Sequence, residues 1–442
     1  MSLLDLIKEA GVIGAGGAGF PTHAKLASKA EYIILNGAEC EPLLRVDQQL
    51  MAVYPDEIIK GFHMAGQLVE AEKAVIGIKA KHKDVVELLQ SRIEALGLAA
   101  AVEIKTLTDT YPMGDEQVLV YEVTGRVVPE AGIPIQVGCV VVNSETALNI
   151  YNAAENKAVT EKYITVTGEV PRPITVKVPV GTPIMNVIAL SGMNDLTGYA
   201  VIDGGPMMGP VMEDVSGHVT KKNKGFIVLK ENHPLIRKKS ATMDQSRKIN
   251  RATCEQCRMC TDICPRYLLG HHMEPHKTMR ILNYGVEDIE GQKRAQLCCQ
   301  CNLCELFACP ADLFPKAANN YFRDMMLKDG MKYKPTDTRW EPREARGYRQ
   351  VPSKRLIARL GLRRWDQAAP MVEDTVCPQE IRVSTRQNVG APSQPIVSLH
   401  QKVRAGQMIG QVPDGNLGAN IHSSIDGIVT GIEVGYIAIR RK

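Results

Sequence analysis

Cysteine is the residue type whose spacing carries the most chemical information in this chain of 442 residues. Nine of the twelve cysteines fall in two short stretches, and eight of those nine form one pattern written twice. The two copies are Cys254-x2-Cys257-x2-Cys260-x3-Cys264-Pro265 and Cys298-x2-Cys301-x2-Cys304-x4-Cys309-Pro310. Three thiols on one tight turn, with a fourth just before a proline, are typical of iron–sulfur cluster ligands.

This spacing predicts two [4Fe–4S] clusters whose ligand sets are interleaved. In bacterial two-cluster ferredoxins with the first spacing, the fourth cysteine of a run binds the other cluster. One cluster is therefore assigned Cys254, Cys257, Cys260 and Cys309, and the other is assigned Cys264, Cys298, Cys301 and Cys304. The chemistry that follows is the transfer of single electrons.

Two alternatives remain open for these cysteines. Zinc also binds C-x2-C pairs, but its sites separate the pairs by a spacer, whereas here four cysteines occupy eleven residues ahead of a proline. Cys299 is an alternative ligand to Cys298, although only Cys298 keeps the two-residue spacing to Cys301. The longer last gap of the second copy requires an extra residue to be absorbed in the helical turn before Pro310.

A second candidate site begins with a glycine run, Gly14-Ala-Gly16-Gly17-Ala-Gly19. A dinucleotide-binding Rossmann fold requires a strand directly before such a run, but residues 3–10 have helical spacing, which disfavours that interpretation. The run still exposes backbone N–H groups that can cradle a phosphate, and Lys25 is a nearby cation. Downstream, the segment 36–42 places an amide and two carboxylates directly after an apolar strand, where α/β proteins bind ligands.

The elements that position these residues follow an alternating pattern over residues 1–155, which predicts an α/β domain around a largely parallel sheet. Strands are predicted at Tyr32–Leu35, Ala74–Ile78, Val102–Leu107 and Val137–Val142, and helices at Val85–Leu96 and Glu116–Val123. Residues 156–240 show period-two alternation that predicts a β-grasp domain, and 245–330 carry the cysteines between helices. Residues 331–378 are predicted as a basic linker, and 379–442 as a compact all-β domain.

Composition sets outer limits on function. The 44% apolar and 23% charged content is that of a soluble globular chain, and its length predicts about three domains. A net charge of +4 is too small to indicate a nucleic-acid partner. The sequence contains neither a signal peptide nor an apolar run of the ~18–20 residues that span a membrane. Twelve cysteines without export predict the reducing cytoplasm.

The residues Gly11–Thr22 with Lys25 resemble the FMN-binding loop of the NADH-oxidising flavoprotein subunit of respiratory complex I and of the Rnf C subunits. The segments 36–42, 111–116 and 143–146 resemble further segments of that family, with Ala38 replacing an acidic residue. The resemblance implies an FMN- and NADH-binding domain. It implies these cofactor-binding residues: Gly14, Gly16, Gly17, Phe20, Lys25, Asn36, Tyr111, Gly114, Asn143 and Thr146. The same resemblance implies three catalytic carboxylates on the nicotinamide side, beside Phe20, namely Glu39, Glu41 and Glu116.

The resemblance extends along nearly the whole chain. Residues 163–229 resemble the β-grasp (SLBB) domain of the same family, and residues 399–429 resemble a barrel-sandwich hybrid, the lipoyl-like fold, without the lysine turn of a carrier domain. Rnf C subunits place that domain first, whereas here it is last. This order resembles the cobalamin reductases of bacterial propanediol-utilisation microcompartments.

That family implies a flavin and iron–sulfur oxidoreductase that passes electrons from NADH through FMN and two [4Fe–4S] clusters to cob(III)alamin and cob(II)alamin, supporting reactivation of coenzyme B12. It also implies a cytoplasmic location inside a microcompartment, with a corrinoid adenosyltransferase and a shell protein as partners. The alternatives are an electron-entry subunit of an Rnf-like complex and a non-catalytic iron–sulfur relay. The segment Lys332–Arg364, with eleven basic and three acidic residues, is either a docking surface or a solvated linker.

Overall fold

A computed structural model of the chain describes residues 1–373 and 376–442. Its first domain is built on a four-stranded parallel sheet in the order β3-β2-β1-β5. The strands of this sheet are β1 (Tyr32–Gly37), β2 (Lys73–Lys79), β3 (Val102–Leu107) and β5 (Cys139–Asn143), and a short strand outside it is β4 (Thr110–Tyr111). The helices are α1 (Leu3–Glu9), α2 (Thr22–Lys25), α3 (Val46–Val53), α4 (Pro55–Leu68), α5 (Lys83–Ala95), α6 (Glu116–Thr124) and α7 (Ser144–Ala154).

Burial on both faces explains why β1, β2 and β5 are nearly continuous apolar runs, whereas the edge strand β3 carries polar residues and is partly exposed. Along β1, Ile33 and Leu35 enter one core and Ile34 enters the other. On the first face α4 packs so closely against α7 that a Cβ on Gly61 would lie only 2.0 Å from the carbonyl oxygen of Ala147. The strands and helices predicted for this domain are therefore confirmed, with ends that shift by one to two residues.

The second domain is a mixed sheet in the order β7-β6-β9-β8, with its central pair parallel. Its elements are β6 (Glu161–Gly168), β7 (Ile174–Pro179), α8 (Ile184–Ala189), β8 (Tyr199–Asp203), β9 (Gly225–Lys230) and α9 (Pro234–Lys239). Alternate residues of β6, such as Ile164 and Val166, share one core with α8. This arrangement of a four-stranded sheet and a crossing helix is a β-grasp.

The cysteine-bearing module consists of short helices. They are α10 (Met243–Thr253), α11 (Met259–Asp262), α12 (Pro265–Leu268), α13 (Pro275–Tyr284), α14 (Ile289–Lys293) and α15 (Pro315–Lys328). A 3₁₀ turn covers Arg294–Leu297, and a π-helical turn covers Cys304–Ala308. Prolines at the first position of α12, α13 and α15 start these helices where the chain leaves a loop.

The segment predicted as a basic linker is folded against the rest of the molecule over much of its length; its positions 374 and 375 lie outside the described residues. It forms α16 (Arg346–Arg349), β10 (Val351–Pro352), α17 (Ser353–Arg359) and a 3₁₀ turn at Arg363–Trp365. The strand β10 pairs with β4 of the first domain. The apolar residues Leu356 and Trp365 are buried in a core shared with the β-grasp domain and the second cysteine loop.

The last domain consists of two antiparallel sheets in the orders β11-β17-β16-β13 and β12-β14-β15. Its strands are β11 (Glu380–Ser384), β12 (Gln394–Pro395), β13 (Lys402–Val403), β14 (Met408–Gln411), β15 (Ile421–His422), β16 (Gly427–Glu433) and β17 (Tyr436–Arg441). Inward residues of both sheets, among them Val383, Ile409 and Val429, form one core. The predicted all-β domain is confirmed.

Candidate flavin and iron–sulfur sites

The carboxyl ends of β1 and β5 bring two predicted site residues together, because Asn36 and Asn143 are register partners at the last paired position. Asn36 donates from Nδ2 to the carbonyl of Gly114 at 2.9 Å. Asn143 caps α7 by accepting the Glu145 amide at 3.0 Å, and its Nδ2 donates to Asp47 at 3.0 Å. Both amides are therefore fixed at the sheet edge where ligands of parallel sheets bind.

The glycine loop lies over this edge and leaves open space at its tip. The amide of Gly14 donates to the carbonyl of Phe20 at 2.8 Å, and the amide of Ala15 donates to Thr146 Oγ1 at 3.0 Å. Among the described residues, a Cβ on Gly16 would meet only Asn143 Cβ, at 3.9 Å, and a Cβ on Gly17 would meet nothing within 4 Å. At Gly17 the φ of 115° itself favours glycine, but at Gly16 no neighbouring protein atom excludes a side chain, so the loop fits a ligand whose phosphate approaches the backbone there.

The predicted cation Lys25 is already paired in the structure. Its Nζ lies 2.7 Å from Glu116 and donates to the carbonyl of Val141 at 2.8 Å. Both side chains of this ion pair remain partly exposed, and Phe20 is 37% exposed. These three predicted residues are therefore accessible to a ligand, although Lys25 is oriented by protein groups first.

The predicted catalytic carboxylate of Glu39 is buried in an ion cluster that its sequence neighbours do not reveal. It accepts the amide of Asp47 at 2.7 Å, while Lys224 of the β-grasp domain lies 3.2 Å from Glu39 and 2.6 Å from Asp47. Burial and the nearby Asp47 raise the pKa of Glu39 to about 7, although Lys224 opposes this shift. Lys224 lies in another domain, so sequence spacing gave no signal for the cluster.

The second carboxylate, Glu41, contacts the β-grasp domain through partners different from those of Glu39. It accepts the amides of Met207 at 2.9 Å and Met208 at 3.1 Å, and the hydroxyl of Tyr111 at 3.2 Å. Burial raises the pKa of Glu41. The three predicted carboxylates, Glu39, Glu41 and Glu116, therefore each have their own set of partners.

Tyr111 also connects the first domain to the cysteine module. Its hydroxyl donates to the backbone carbonyl of Cys301 at 2.7 Å. A second connection is the ion pair between Arg266, which follows Pro265 in the first cysteine run, and Asp115, with a shortest distance of 2.6 Å. The candidate flavin site and the second cysteine loop are thus in direct contact.

The first predicted ligand set surrounds a single cavity. Cys254, Cys257, Cys260 and Cys309 all line a space of about 240 Å³. Burial, together with the neighbouring thiols, raises the pKa of Cys260 to about 12. Four cysteine side chains around one space form the donor set that a four-iron cluster requires, with one thiolate for each iron.

The second predicted set also lies together, and Cys299 lies within it, since the side chains of Cys299 and Cys301 are hydrogen-bonded to each other. Burial is the main cause of the raised pKa of Cys264, followed by the nearby thiol of Cys299 and, to a smaller extent, that of Cys298. Burial and the Cys299 thiol raise the pKa of Cys298 to about 11. Burial also raises the pKa of Cys304, and the thiols of Cys298 and Cys264 add to that effect.

The two cysteine loops have the same backbone conformation. Left-handed φ angles occur at Gln256 (56°) and Arg258 (68°) in the first loop, and at Gln300 (64°) and Asn302 (67°) in the second. These positions coincide when Cys298 is aligned with Cys254. The observation supports Cys298 rather than Cys299 as the equivalent of the first ligand.

The longer gap of the second run lies in the π-helical turn Cys304–Ala308. A π turn contains one more residue per hydrogen-bonded ring than an α turn, so it accommodates the additional residue. Cys264 and Cys309 consequently have nearly equal backbone angles, with φ of −65° and −71° and ψ of 123° and 116°. The expectation that a helical turn absorbs the extra residue is confirmed.

Two further properties of the described residues bear on function. No helix there is long and apolar enough to cross a membrane. No three His, Cys, Asp or Glu side chains there are arranged to hold a single metal ion. A [4Fe–4S] cluster requires a different arrangement from a single ion. Each of its four irons binds one thiolate, so the four cysteine sulfurs surround the whole cluster and do not converge on one point.

Four family models match the chain in succession. They are the Nuo51 FMN-binding domain at residues 7–152, the SLBB domain at 163–211, the 4Fe-4S dicluster domain at 253–314 and the RnfC barrel sandwich hybrid domain at 365–441. The predicted multidomain architecture, from flavoprotein-like α/β domain to barrel-sandwich hybrid, is confirmed. The crystal structure of an NAD⁺-reducing [NiFe]-hydrogenase in the H₂-reduced state shares this fold, with a TM-score of 0.50 at 21% identity, covering 74% of this chain and 61% of that chain.

Curated relatives match over different lengths. The C subunit of the Na⁺-translocating ferredoxin:NAD⁺ oxidoreductase complex of Acetobacterium woodii is 32% identical over 60% of this chain and 58% of its own length. Cobalamin reductase PduS of Citrobacter freundii is 38% identical over 100% of this chain and 96% of its own. Cobalamin reductase PduS of Salmonella typhimurium is 39% identical over 99% and 96% of the two chains. On this match along both whole chains, the protein belongs to the PduS cobalamin reductase family.

Proposed function

We propose that this protein is an NADH-dependent cobalamin reductase, which passes electrons through FMN and two [4Fe–4S] clusters to cob(III)alamin and cob(II)alamin. The observation that carries the proposal is the contact between Tyr111 of the flavin-binding domain and Cys301 of the second cysteine loop, within a chain similar throughout to proteins named cobalamin reductase. Direct contact between the two sites suits electron transfer inside one polypeptide.

The flavin is held, in this proposal, at the glycine loop and the adjoining sheet edge. The open tip at Gly16 and Gly17 receives the phosphate, and Asn36, Asn143 and Thr146 fix the backbone around it. Lys25 and Glu116, which orient each other, face the cofactor from the exposed side. When bound, FMN supplies the conversion of a two-electron hydride transfer into single-electron transfers.

The buried ion cluster keeps the floor of this site rigid. Lys224 neutralises Asp47 and stands close to Glu39, so the β-grasp domain fixes the segment that follows β1. Glu41 performs the same task from the other side by accepting two backbone amides. We assign these two carboxylates to positioning the site, and we assign the exposed Phe20 and Glu116 to the nicotinamide side.

The iron–sulfur ligands follow from the two converging sets. One cluster takes Cys254, Cys257, Cys260 and Cys309, and the other takes Cys264, Cys298, Cys301 and Cys304. Protein hydrogen bonds to the sulfurs adjust cluster potentials. Such bonds come from Gln256 Nε2 to Cys254 Sγ at 3.2 Å and from the Leu313 amide to Cys309 Sγ at 3.2 Å.

The same proposal includes a cytoplasmic location inside a microcompartment, with a corrinoid adenosyltransferase and a shell protein as partners. An electron-entry role in an Rnf-like complex is the rival, favoured by the partial match to the C subunit of the Acetobacterium woodii complex. The barrel-sandwich match at the end of the chain, at residues 365–441, weighs against that rival.

The test is an anaerobic assay of the purified chain with NADH as donor and cob(III)alamin or cob(II)alamin as acceptor. The proposal requires NADH-dependent reduction of both corrinoids and loss of bound flavin together with this activity in Lys25→Ala. Flavin reduction by NADH without any corrinoid reduction, but with reduction of a ferredoxin, would instead establish the Rnf-like role.

A further inference from the structure

The glycine loop is held at its two ends by groups outside its own domain. At the tip, the amide of Ala15 donates to Thr146 of the flavin-binding domain. At the start, the carbonyl of Gly11 accepts Lys221 Nζ of the β-grasp domain at 2.7 Å. At the end, the carbonyl of Gly19 accepts the amide of Val389, from the C-terminal domain, at 3.0 Å.

Lys221 is the point at which three domains meet. Its side chain is buried, and the ammonium donates both to Gly11 and to the carbonyl of Asn420 in the C-terminal domain at 3.0 Å. Its backbone amide donates to Gln387 Oε1 of the same domain at 2.8 Å. Burying a lysine is costly unless its donors are satisfied, and here two backbone carbonyls accept from Nζ. Burial lowers the pKa of Lys221 to about 7.

The glycines of the loop therefore divide into two groups. A Cβ on Gly11 would lie 2.2 Å from the Asn420 carbonyl oxygen, and a Cβ on Gly19 would lie 3.2 Å from that of Gln387. Gly16 and Gly17, in contrast, border open space. The outer glycines allow the C-terminal domain to approach, and the inner ones leave room for a ligand.

We propose that the C-terminal domain of this chain is a clamp on the flavin site. In this proposal Lys221 is the positioning residue, because it connects Asn420 of that domain to Gly11 at the start of the glycine loop. The C-terminal domain lacks the lysine turn of a carrier domain. Clamping the flavin site is the role that we assign to it instead. By fixing both ends of the loop before the ligand arrives, the clamp lowers the ordering cost of binding. This inference rests on the proposed placement of FMN at the loop.

The test compares FMN affinity among variants of the full chain with intact iron–sulfur clusters. Lys221→Met keeps an unbranched side chain that is one atom shorter and removes both hydrogen bonds to carbonyls. After removal of flavin under anaerobic conditions, titration with FMN by fluorescence quenching should show a dissociation constant about tenfold higher, a change equivalent to about 1.4 kcal/mol. Iron content should not change. Lys402→Met, at an exposed position of the C-terminal domain, is the matched control and should bind FMN as the unmodified chain does.

A second variant and a second readout separate positioning from general stability. Gln387→Leu removes the contact to the Lys221 amide from the other domain and should weaken FMN binding in the same direction. Amide hydrogen exchange of the flavin-free variants should rise at residues 11–20 and stay unchanged in the four-stranded sheet. Unchanged FMN affinity in both variants, or faster exchange throughout the first domain, overturns the clamp.

A wrong placement of FMN at the glycine loop would give a different experimental result from a wrong clamp. If Gly16→Val keeps its flavin, FMN binds elsewhere and the proposed function must be revised. If Gly16→Val loses flavin while Lys221→Met and Gln387→Leu retain full affinity, the flavin placement stands and the clamp alone is wrong.

Discussion

At the residue scale, two pairs of non-glycine residues adopt the left-handed backbone at matching places in the two cysteine loops. A non-glycine residue in this conformation carries backbone strain on the order of 1 kcal/mol. Because the conformation recurs at matching positions, we infer that the surroundings impose it. The pairs are Gln256 with Gln300 and Arg258 with Asn302. The same geometry of amides is thereby presented to both sets of sulfurs.

This equivalence leads to a prediction about Cys298 and Cys299. Cys298→Ser should lower iron and sulfide from about eight to about four of each per chain, because it removes a ligand of one four-iron cluster. Cys299→Ser should leave both values unchanged. Anaerobic iron and acid-labile sulfide analysis measures the outcome, and the reverse pattern would make Cys299 the ligand.

A second residue-scale prediction concerns two glycines with opposite surroundings. Gly16→Val should purify with less FMN but with full iron content, because the new side chain occupies the space of the phosphate and starts 3.9 Å from its nearest protein atom. Gly61→Ala should instead lower the thermal midpoint, because its Cβ would overlap the Ala147 carbonyl and overpacking costs about 1–3 kcal/mol.

Flavin absorbance, iron analysis and thermal unfolding of the flavin-free proteins distinguish the two effects. A lowered midpoint in flavin-free Gly16→Val would show that this glycine serves the protein's packing and not the ligand.

At the element scale, strands such as Val102–Leu107 and helices such as Glu116–Thr124 could be predicted because their patterns are local. The strand Val102–Leu107 has apolar residues at Val102, Ile104 and Leu107 with polar residues between them. The helix α6 is bounded by the capping side chain of Asp115 and the left-handed Gly125. The ion cluster of Asp47 and Lys224 could not be predicted, since its members belong to different domains and nothing in their spacing joins them.

The segment around α17 was also beyond prediction, for a related reason. Its many basic residues suggested a solvated linker, but its few apolar residues are the ones that pack. Val351 pairs with Tyr111, far away in sequence, and Leu356 and Trp365 complete a core contributed largely by other domains. Composition averages over a segment, whereas burial is decided by single residues.

This packing predicts the effect of Leu356→Ala. The side chain is fully buried, so its truncation should destabilise the adjoining core by about 2–5 kcal/mol. The first thermal transition should occur at lower temperature, as measured by calorimetry. Lys354→Ala, two residues away and exposed, is the control and should change stability by less than about 0.5 kcal/mol. Equal midpoints for the two variants would mean that α17 is dispensable to the fold.

At the scale of the whole molecule, the exposed side of α17 and the turn after it presents four arginines beside the cysteine module. Arg355 lies over the ring of Phe307, with 5.8 Å to its centroid, and Arg359 donates to the carbonyl of Cys309 at 3.4 Å. A cationic surface so close to a candidate cluster is suited to the approach of an acidic electron-accepting protein.

We therefore predict that changing Arg355, Arg359, Arg363 and Arg364 to Gln slows electron delivery to a corrinoid adenosyltransferase at low salt. The expected decrease is about tenfold and should vanish at high ionic strength, because steering between exposed charges is screened. NADH-dependent reduction of ferricyanide should be unaffected. Stopped-flow kinetics at two salt concentrations measures both rates.

The matched control neutralises four exposed cations of the C-terminal domain, Arg382, Lys402, Arg404 and Arg440, and should leave both rates unchanged. If the α17 variant loses both activities together, the arginines belong to the fold and the docking surface lies elsewhere.

The meeting of Gly11, Lys221 and Asn420 has a consequence for biosynthesis. The first of these residues leaves the ribosome long before the last, and domains fold in order as they emerge. The flavin-binding domain can acquire its sheet early, but its glycine loop must wait for residue 389 before it is held at both ends, and for residue 420 before Lys221 has both of its acceptors. Cofactor insertion is therefore expected to follow translation, so that nascent chains carry no tightly bound flavin.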